Sequence, residues 1–174
     1  AVTRDYKSLD FSEIDKNNVR CPDPVAAKEM EDLILDVKKD GDTIGGVITC
    51  VIKGCPVGLG EPVFGRLSAD LAAAMMSINA AKGFEVGDGF ALAAKRGSEV
   101  IDPFVAGPDG CVRTTANHSG GIQGGISNGM PVVVRVAFKP VATLMRPLPA
   151  IRRDGSPVTL PPRGRHDPCV VPRA

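Results

Sequence analysis

Twenty glycines and fifteen prolines fall in blocks along these 174 residues, and they limit how long any regular element can run. Proline removes a backbone donor and glycine admits left-handed turns, so each block ends the element before it. The stretches between blocks are periodic, which predicts short elements joined by structured loops rather than disorder. Aromatic residues make up 4% of the chain, with no tryptophan and one tyrosine. The core must therefore be built from Val, Ile, Leu, Met and Ala. Such a length suits one domain, expected over residues 1–174.

Asp23 is a good N-cap and Pro24 fits the first helical position, predicting a helix over 24–39. Met30, Leu33, Ile34 and Val37 give it one apolar stripe, and Gly41 stops it. Residues 43–53 predict a strand that is apolar on both faces, hence buried on both sides or at a subunit contact. A second helix is expected over 63–78, where Ala72, Ala73 and Ala74 allow another helix to approach closely. KGFEVGDGFALAA predicts a strand broken by Gly87 and Gly89. Residues 97–111 lack a period and hold a turn signal at 107–110, before a short strand at 112–116. Residues 131–139 alternate cleanly and deliver Lys139 at a strand end. A hairpin is expected to turn at Asp154 and Gly155, and the end of the chain to be an extended, proline-stiffened loop. Strict βαβ alternation is missing, so the predicted class is α+β with mostly antiparallel strands.

The formal net charge is +1, which by itself argues for neither a nucleic-acid nor a membrane partner. No apolar run approaches the roughly 20 residues of a membrane helix. The start, AVTRDYKSLDFSEID, has no signal-like apolar region, and a cytoplasmic protein (plastid in a plant) is expected. The chain has no initiator Met and ends at VVPRA with no closing helix, so it is expected to be a fragment. Five cysteines and no C-x-x-C pair predict free thiols in a reducing compartment rather than a zinc site. No metal site is expected.

Three loops could carry chemistry. In GRHDPC, residues 164–169, Pro168 restricts Asp167 to extended geometry, so Arg165 and Asp167 are expected to project together and His166 to oppose them. A cation and a carboxylate on one side of a stiff loop suit an anionic ligand and a proton acceptor; the alternative is a structural Arg–Asp pair. NHSGGIQGGISNG, residues 117–129, allows backbone N–H groups to approach a flat or phosphorylated ligand, or is simply a tight multiple turn. It matches neither a P-loop nor a dinucleotide fingerprint. Lys139-Pro140 before Val141-Ala142-Thr143 could hold a phosphate, or Lys139 could be a solvated lysine. The carboxylates Glu61, Glu85, Asp88, Glu99 and Asp102 are dispersed, with no glycosidase or two-metal spacing. A Ser–His–acid set can be written from Ser119 or Ser127 with His118 or His166 and Asp167, but it lacks a nucleophile elbow.

Five blocks, in order, resemble the chorismate synthase family: GDTIGGVITCVIKGCPVGLGEPVF (41–64), MMSINAAKGFEVGDGF (75–90), NHSGGIQGGISNG (117–129), VAFKPVATL (136–144) and GRHDPCVVPRA (164–174). The resemblance covers nearly the whole chain, as the C-terminal portion of that enzyme, and is weakest over 145–160. It implies helices sandwiched between two antiparallel sheets, assembled as a homotetramer. It implies reduced FMN as cofactor, with NADPH only where the complete enzyme reduces its own flavin. The flavin contacts it implies are Asn79 and Ala80, Gly124, the stretch Lys139, Pro140, Val141, Ala142 and Thr143, and Arg165. The family often has a hydroxyl where Ala142 stands, which implies a lost hydrogen bond. The reaction implied is anti-1,4-elimination of phosphate from 5-enolpyruvylshikimate 3-phosphate, in which Arg165 would stabilise anionic charge and Asp167 would serve a proton relay. Two catalytic histidines and an arginine-rich block of the family's N-terminal half have no match here. His118 and His166 are not those histidines, and the chain alone is expected to be inactive. The alternatives are a flavodoxin-like electron carrier, for which no early strand–loop–helix phosphate site is found, and a non-catalytic assembly module.

Overall fold

The computed structural model describes residue 6 and residues 8–108 and 110–173. In chain order the elements are α1 (Pro24–Lys39), β1 (Gly46–Ile52), α2 (Leu67–Met76), β2 (Ala81–Val86), α3 (Gly97–Val100), β3 (Phe104–Ala106), β4 (Val112–Thr114), β5 (Ile122–Gln123), β6 (Ile126–Ser127), β7 (Val132–Phe138), β8 (Leu148–Ile151) and β9 (Pro157–Leu160). The α+β expectation holds: β3–β4, β5–β6 and β8–β9 are antiparallel pairs beside the helices. The residues gather into two compact units, Ala1–Gly46 with Phe138–Ala174, and Val47–Ala137.

In the first unit, the Asp23 carboxylate accepts from the N–H groups of Val25 and Ala26, and Pro24 occupies the first turn of α1. The helix ends as its sequence predicts. Gly41 adopts φ +66, its N–H bonds the Lys38 carbonyl, and the Asp42 N–H reaches back to Val37. The stripe is less buried than its spacing suggests. Ala26 and Ala27 pack with Cys21, Val19 and Met30, while Leu33 is 50% exposed. The β8–β9 hairpin turns where expected. Asp154 accepts from the N–H and hydroxyl of Ser156, and Gly155 takes φ +84.

In the second unit, β7 is the middle strand of the order β1-β7-β2. Val132, Val134 and Val136 are buried, while Val133, Arg135 and Ala137 alternate with them half-buried. Val132 and Val134 pack with Ile122 against Leu67, Leu71, Phe84 and Val86. Burying each such side chain contributes roughly 1.5–3 kcal/mol, and the core is mainly aliphatic, with Phe84 and Phe138 as its aromatic members. On the other face of β7, Arg135 pairs with Glu85 of β2.

Three expectations need correction. β1 is an edge strand with one neighbour, and Val47 and Ile52 are 49% and 39% exposed, so it is not buried on both faces within this chain, and of the two alternatives the subunit contact is the one left open. The second helix starts at Leu67, not 63, because Glu61 and Gly65 exchange backbone hydrogen bonds in a tight turn and leave Arg66 extended. The segment after Gly87 is a 3-10 helix, Gly89–Ala94, not a continued strand, because Gly87 and Gly89 both turn to positive φ.

Candidate functional site

In the first unit, β7 ends at Phe138, and Lys139 and Pro140 emerge exposed. Segment 42–44 lies beside two of the predicted stretches. The Thr43 hydroxyl donates to the Val141 carbonyl at 2.6 Å, His166 Nε2 donates to the Asp42 carbonyl at 2.9 Å, and the Ile44 N–H donates to the Pro168 carbonyl at 2.8 Å. Gly45 makes this close approach possible, since a Cβ there would lie 2.2 Å from the Phe138 carbonyl oxygen. Thr143 and Gly164 are neighbours, with Thr143 Cγ2 3.9 Å from a Cβ built on Gly164. Lys139–Thr143 and Gly164–Pro168 are thus drawn together. Lys139 and Arg165 are exposed, with no hydrogen-bond or ion-pair partner among the described residues.

The alternative of a structural Arg165–Asp167 pair is not the one that forms. Asp167 Oδ2 lies 2.9 Å from Arg173 Nη1, so its charge partner is Arg173, not Arg165. The neighbouring Cys169 thiol is pushed up by burial and by the Asp167 charge, which keeps it protonated and inert. Beside Thr143 lies a cavity of about 380 Å³ lined chiefly by Leu144, Leu148, Leu160 and Pro161, with Arg146 and Arg163 also on its wall. Arg146 is held by an ion pair to Asp42.

In the second unit, the glycine-rich segment folds as an internally bonded loop. Gly124 and Gly125, at φ +62 and +90, form the two-residue turn of the β5–β6 hairpin. Gly124 is exposed, and a Cβ there would meet nothing within 4 Å, so space for a ligand lies against its backbone. The Gly125 carbonyl accepts the first N–H of α2, from Leu67, at 2.9 Å. Asn79 and Ala80 follow the other end of that helix. Asn79 is exposed and Ala80 holds φ +69. A non-glycine residue there costs about 1–3 kcal/mol, and such positions concentrate at functional sites.

Asp102, which no sequence spacing marks, anchors the start of this loop. It is 6% exposed, and its carboxylate accepts from the His118 N–H (2.9 Å), the Ser119 N–H (2.8 Å) and the Ser119 hydroxyl (2.6 Å). Burial pushes its carboxyl up, but these hydrogen bonds from Ser119 and His118 outweigh burial and hold it below 3.8. A lowered folded value means that its stabilisation is complete above the unfolded value and is lost as pH falls through the folded one. Asp102→Asn is therefore expected to cost about 1–3 kcal/mol near neutral pH. The gap from the parent should close progressively in acid below 3.8. Denaturant unfolding over an acid-to-neutral pH series checks this, and a gap independent of pH contradicts it. Ser119 spends its hydroxyl on Asp102, and Ser127 is buried between the Pro56 carbonyl and the Leu59 N–H, so neither is an activated nucleophile.

Together these features define an α+β protein with exposed cations and an open glycine hairpin on its loops. The chain belongs to the chorismate synthase family: that family's profile matches residues 2–174. It is 59% identical over 169 residues to the chorismate synthase of Bacteroides fragilis (strain YCH46), covering 97% of this chain and 47% of that one. Against the chorismate synthase of Christiangramia forsetii (strain DSM 17595 / CGMCC 1.15422 / KT0803) it is 58% identical over 173 residues, covering 99% and 48%. A solved structure described as "Crystal Structure of Chorismate Synthase" superposes with a TM-score of 0.70 at 39% identity, over 74% of this chain and 39% of that chain. The chain spans about half the length of the curated relatives it matches.

Proposed function

We propose that this chain is the flavin-holding part of a chorismate synthase, whose longer polypeptide eliminates phosphate from 5-enolpyruvylshikimate 3-phosphate to give chorismate. The observation that carries the reading is the meeting of Lys139–Thr143 with Gly164–Pro168 through Asp42, Thr43 and Ile44, with Lys139 and Arg165 left free. In the first unit, exposed cations and a largely apolar cavity lined in part by Thr143 suit a phosphorylated cofactor such as FMN. In the second unit, the open backbone at Gly124 suits a flat one. Asn79, Ala80, Gly124, Lys139 through Thr143 and Arg165 would hold it. Bound there, reduced FMN would supply the transient electron that assists C–O cleavage, and NADPH would be needed only if the complete enzyme reduces its own flavin.

The chain's own residues contribute binding, charge and proton handling. Lys139 and Arg165 neutralise anionic groups. Asp167 accepts or relays a proton, with Arg173 fixing its carboxylate. Ala142 has no hydroxyl to offer, so this stretch bonds the cofactor through its backbone and Thr143. In this reading the two units belong to one C-terminal domain, and the complete enzyme is a cytoplasmic homotetramer.

Lys139→Ala in the full-length enzyme is expected to weaken FMN binding about tenfold to a hundredfold, the equivalent of one charge-assisted contact of roughly 1.5–3 kcal/mol. Fluorescence titration reads the dissociation constant. An unchanged value makes Lys139 a solvated lysine and removes the main support for the site.

A further inference from the structure

His118 is tied at its backbone N–H, its carbonyl and its ring. Its N–H donates to Asp102 Oδ1 at 2.9 Å, its carbonyl accepts the Asp88 N–H at 2.9 Å, and its Nδ1 lies 2.7 Å from Asp88 Oδ2. Ser119 adds two donors to Asp102. A weaker connection continues into the hairpin: Gln123 Nε2 donates to the Asp102 carbonyl at 3.4 Å, and Asn128 Nδ2 donates to Gln123 Oε1 at 2.8 Å. Gln123 immediately precedes Gly124.

We propose that Asp88, Asp102 and His118 are positioning residues that clamp the glycine-rich loop in its ligand-receiving conformation, so that flavin affinity depends on side chains that need not touch the flavin. This rests on the reading that the loop receives FMN through Gly124. Five glycines in residues 117–129 leave the free segment many backbone conformations. A ligand that binds one of them has its apparent affinity reduced by the fraction of molecules in the others. Asp102 spends a buried carboxylate on two consecutive residues at the loop's start, and Asp88 spends both its N–H and its carboxylate on His118. Two acids from separate segments, 3-10 approach and hairpin approach, thereby converge on one turn. Neither acid contributes an apolar surface to the core, so the arrangement is explained by what it holds.

The test uses the full-length enzyme with Asp102→Asn, His118→Ala and His118→Asn. FMN affinity comes from fluorescence titration and turnover from chorismate formation at saturating reduced FMN. Asp102→Asn places an amide N–H₂ among donors, and His118→Ala removes the ring tie; each is expected to raise the FMN dissociation constant about tenfold while turnover at saturation stays within about twofold. His118→Asn, whose amide can donate to Asp88 from near the place of Nδ1, is expected to recover most of the affinity. A fold that is merely weakened lowers the number of binding sites rather than the affinity of those that remain, and shows no such rescue. Unchanged FMN affinity in both Asp102→Asn and His118→Ala overturns the proposal. So does an equal fall in turnover that His118→Asn fails to rescue, because His118 then acts on the ligand itself. A parent enzyme that neither binds FMN nor makes chorismate overturns the flavin reading instead. Amide exchange over residues 118–123 then tests the clamp separately: about tenfold faster exchange in Asp102→Asn supports it, and unchanged exchange overturns it.

Discussion

Replacing Gly87 by alanine is expected to cost about 2–5 kcal/mol of stability, through left-handed strain of about 1–2 kcal/mol and overpacking of about 1–3 kcal/mol. Gly87 sits at φ +58, and a Cβ there would lie 2.1 Å from the His118 carbonyl oxygen and 2.5 Å from the Gly120 N. Both neighbours are backbone, so no rotamer change relieves the contact. Nor can the loop slide away, because the Gly87 N–H donates to the Val133 carbonyl and the Val133 N–H to the Gly120 carbonyl, locking all three segments to the buried strand β7. Gly155→Ala is the control: its φ is +84 but its Cβ would meet nothing within 4 Å, so only strain of about 1 kcal/mol is expected. Denaturant midpoints at constant slope measure both. Equal losses for the two variants would show that the packing of Gly87 against the glycine-rich loop contributes little.

Asp167→Asn in the full-length enzyme is expected to slow chorismate formation by about a hundredfold or more, within the range for loss of a positioned acid–base group, while substrate affinity changes far less. The amide keeps the shape of the carboxylate but cannot accept the proton. Because Asp167 pairs with Arg173 at 2.9 Å, the structural alternative needs its own control. Arg173→Ala breaks that pair and leaves the carboxylate in place. Its side chain is 55% exposed, so the pair is worth about 0–1 kcal/mol and turnover should fall only slightly. If Arg173→Ala is as damaging as Asp167→Asn, or if Asp167→Asn keeps half the parent rate, Asp167 belongs to the scaffold and not to a proton relay.

The parts of the fold that were legible in the sequence are those whose signals are local. Asp23-Pro24 and Gly41 bound α1, alternation marks β7, and Asp154-Gly155 turns the last hairpin, each within a few residues. The turn at 107–110 and a short strand from Val112 were legible, but β3 carried no such signal: it is three residues long and exposed, so no alternation between core and solvent marks it. The candidate site divides the same way. Lys139 and Arg165 announced themselves by strand position and motif. Thr43 and Asp42, which join their loops, reach across 98 and 124 residues, a distance that no periodicity encodes. Asp102 looked like one of several scattered acids because its partners come from a loop 16 and 17 residues later. Asp167 was expected beside Arg165, since extended neighbours alternate sides, but a second arginine six positions on captures its carboxylate.

The most direct test of the account is an anaerobic assay of the full-length enzyme with 5-enolpyruvylshikimate 3-phosphate, following chorismate by absorbance with reduced FMN, with oxidised FMN and with Lys139→Ala. The account predicts steady chorismate formation only with reduced FMN, and a need for about tenfold to a hundredfold more FMN in the variant. Formation no faster than in the protein-free control, or at the same rate with no reduced flavin present, would contradict it.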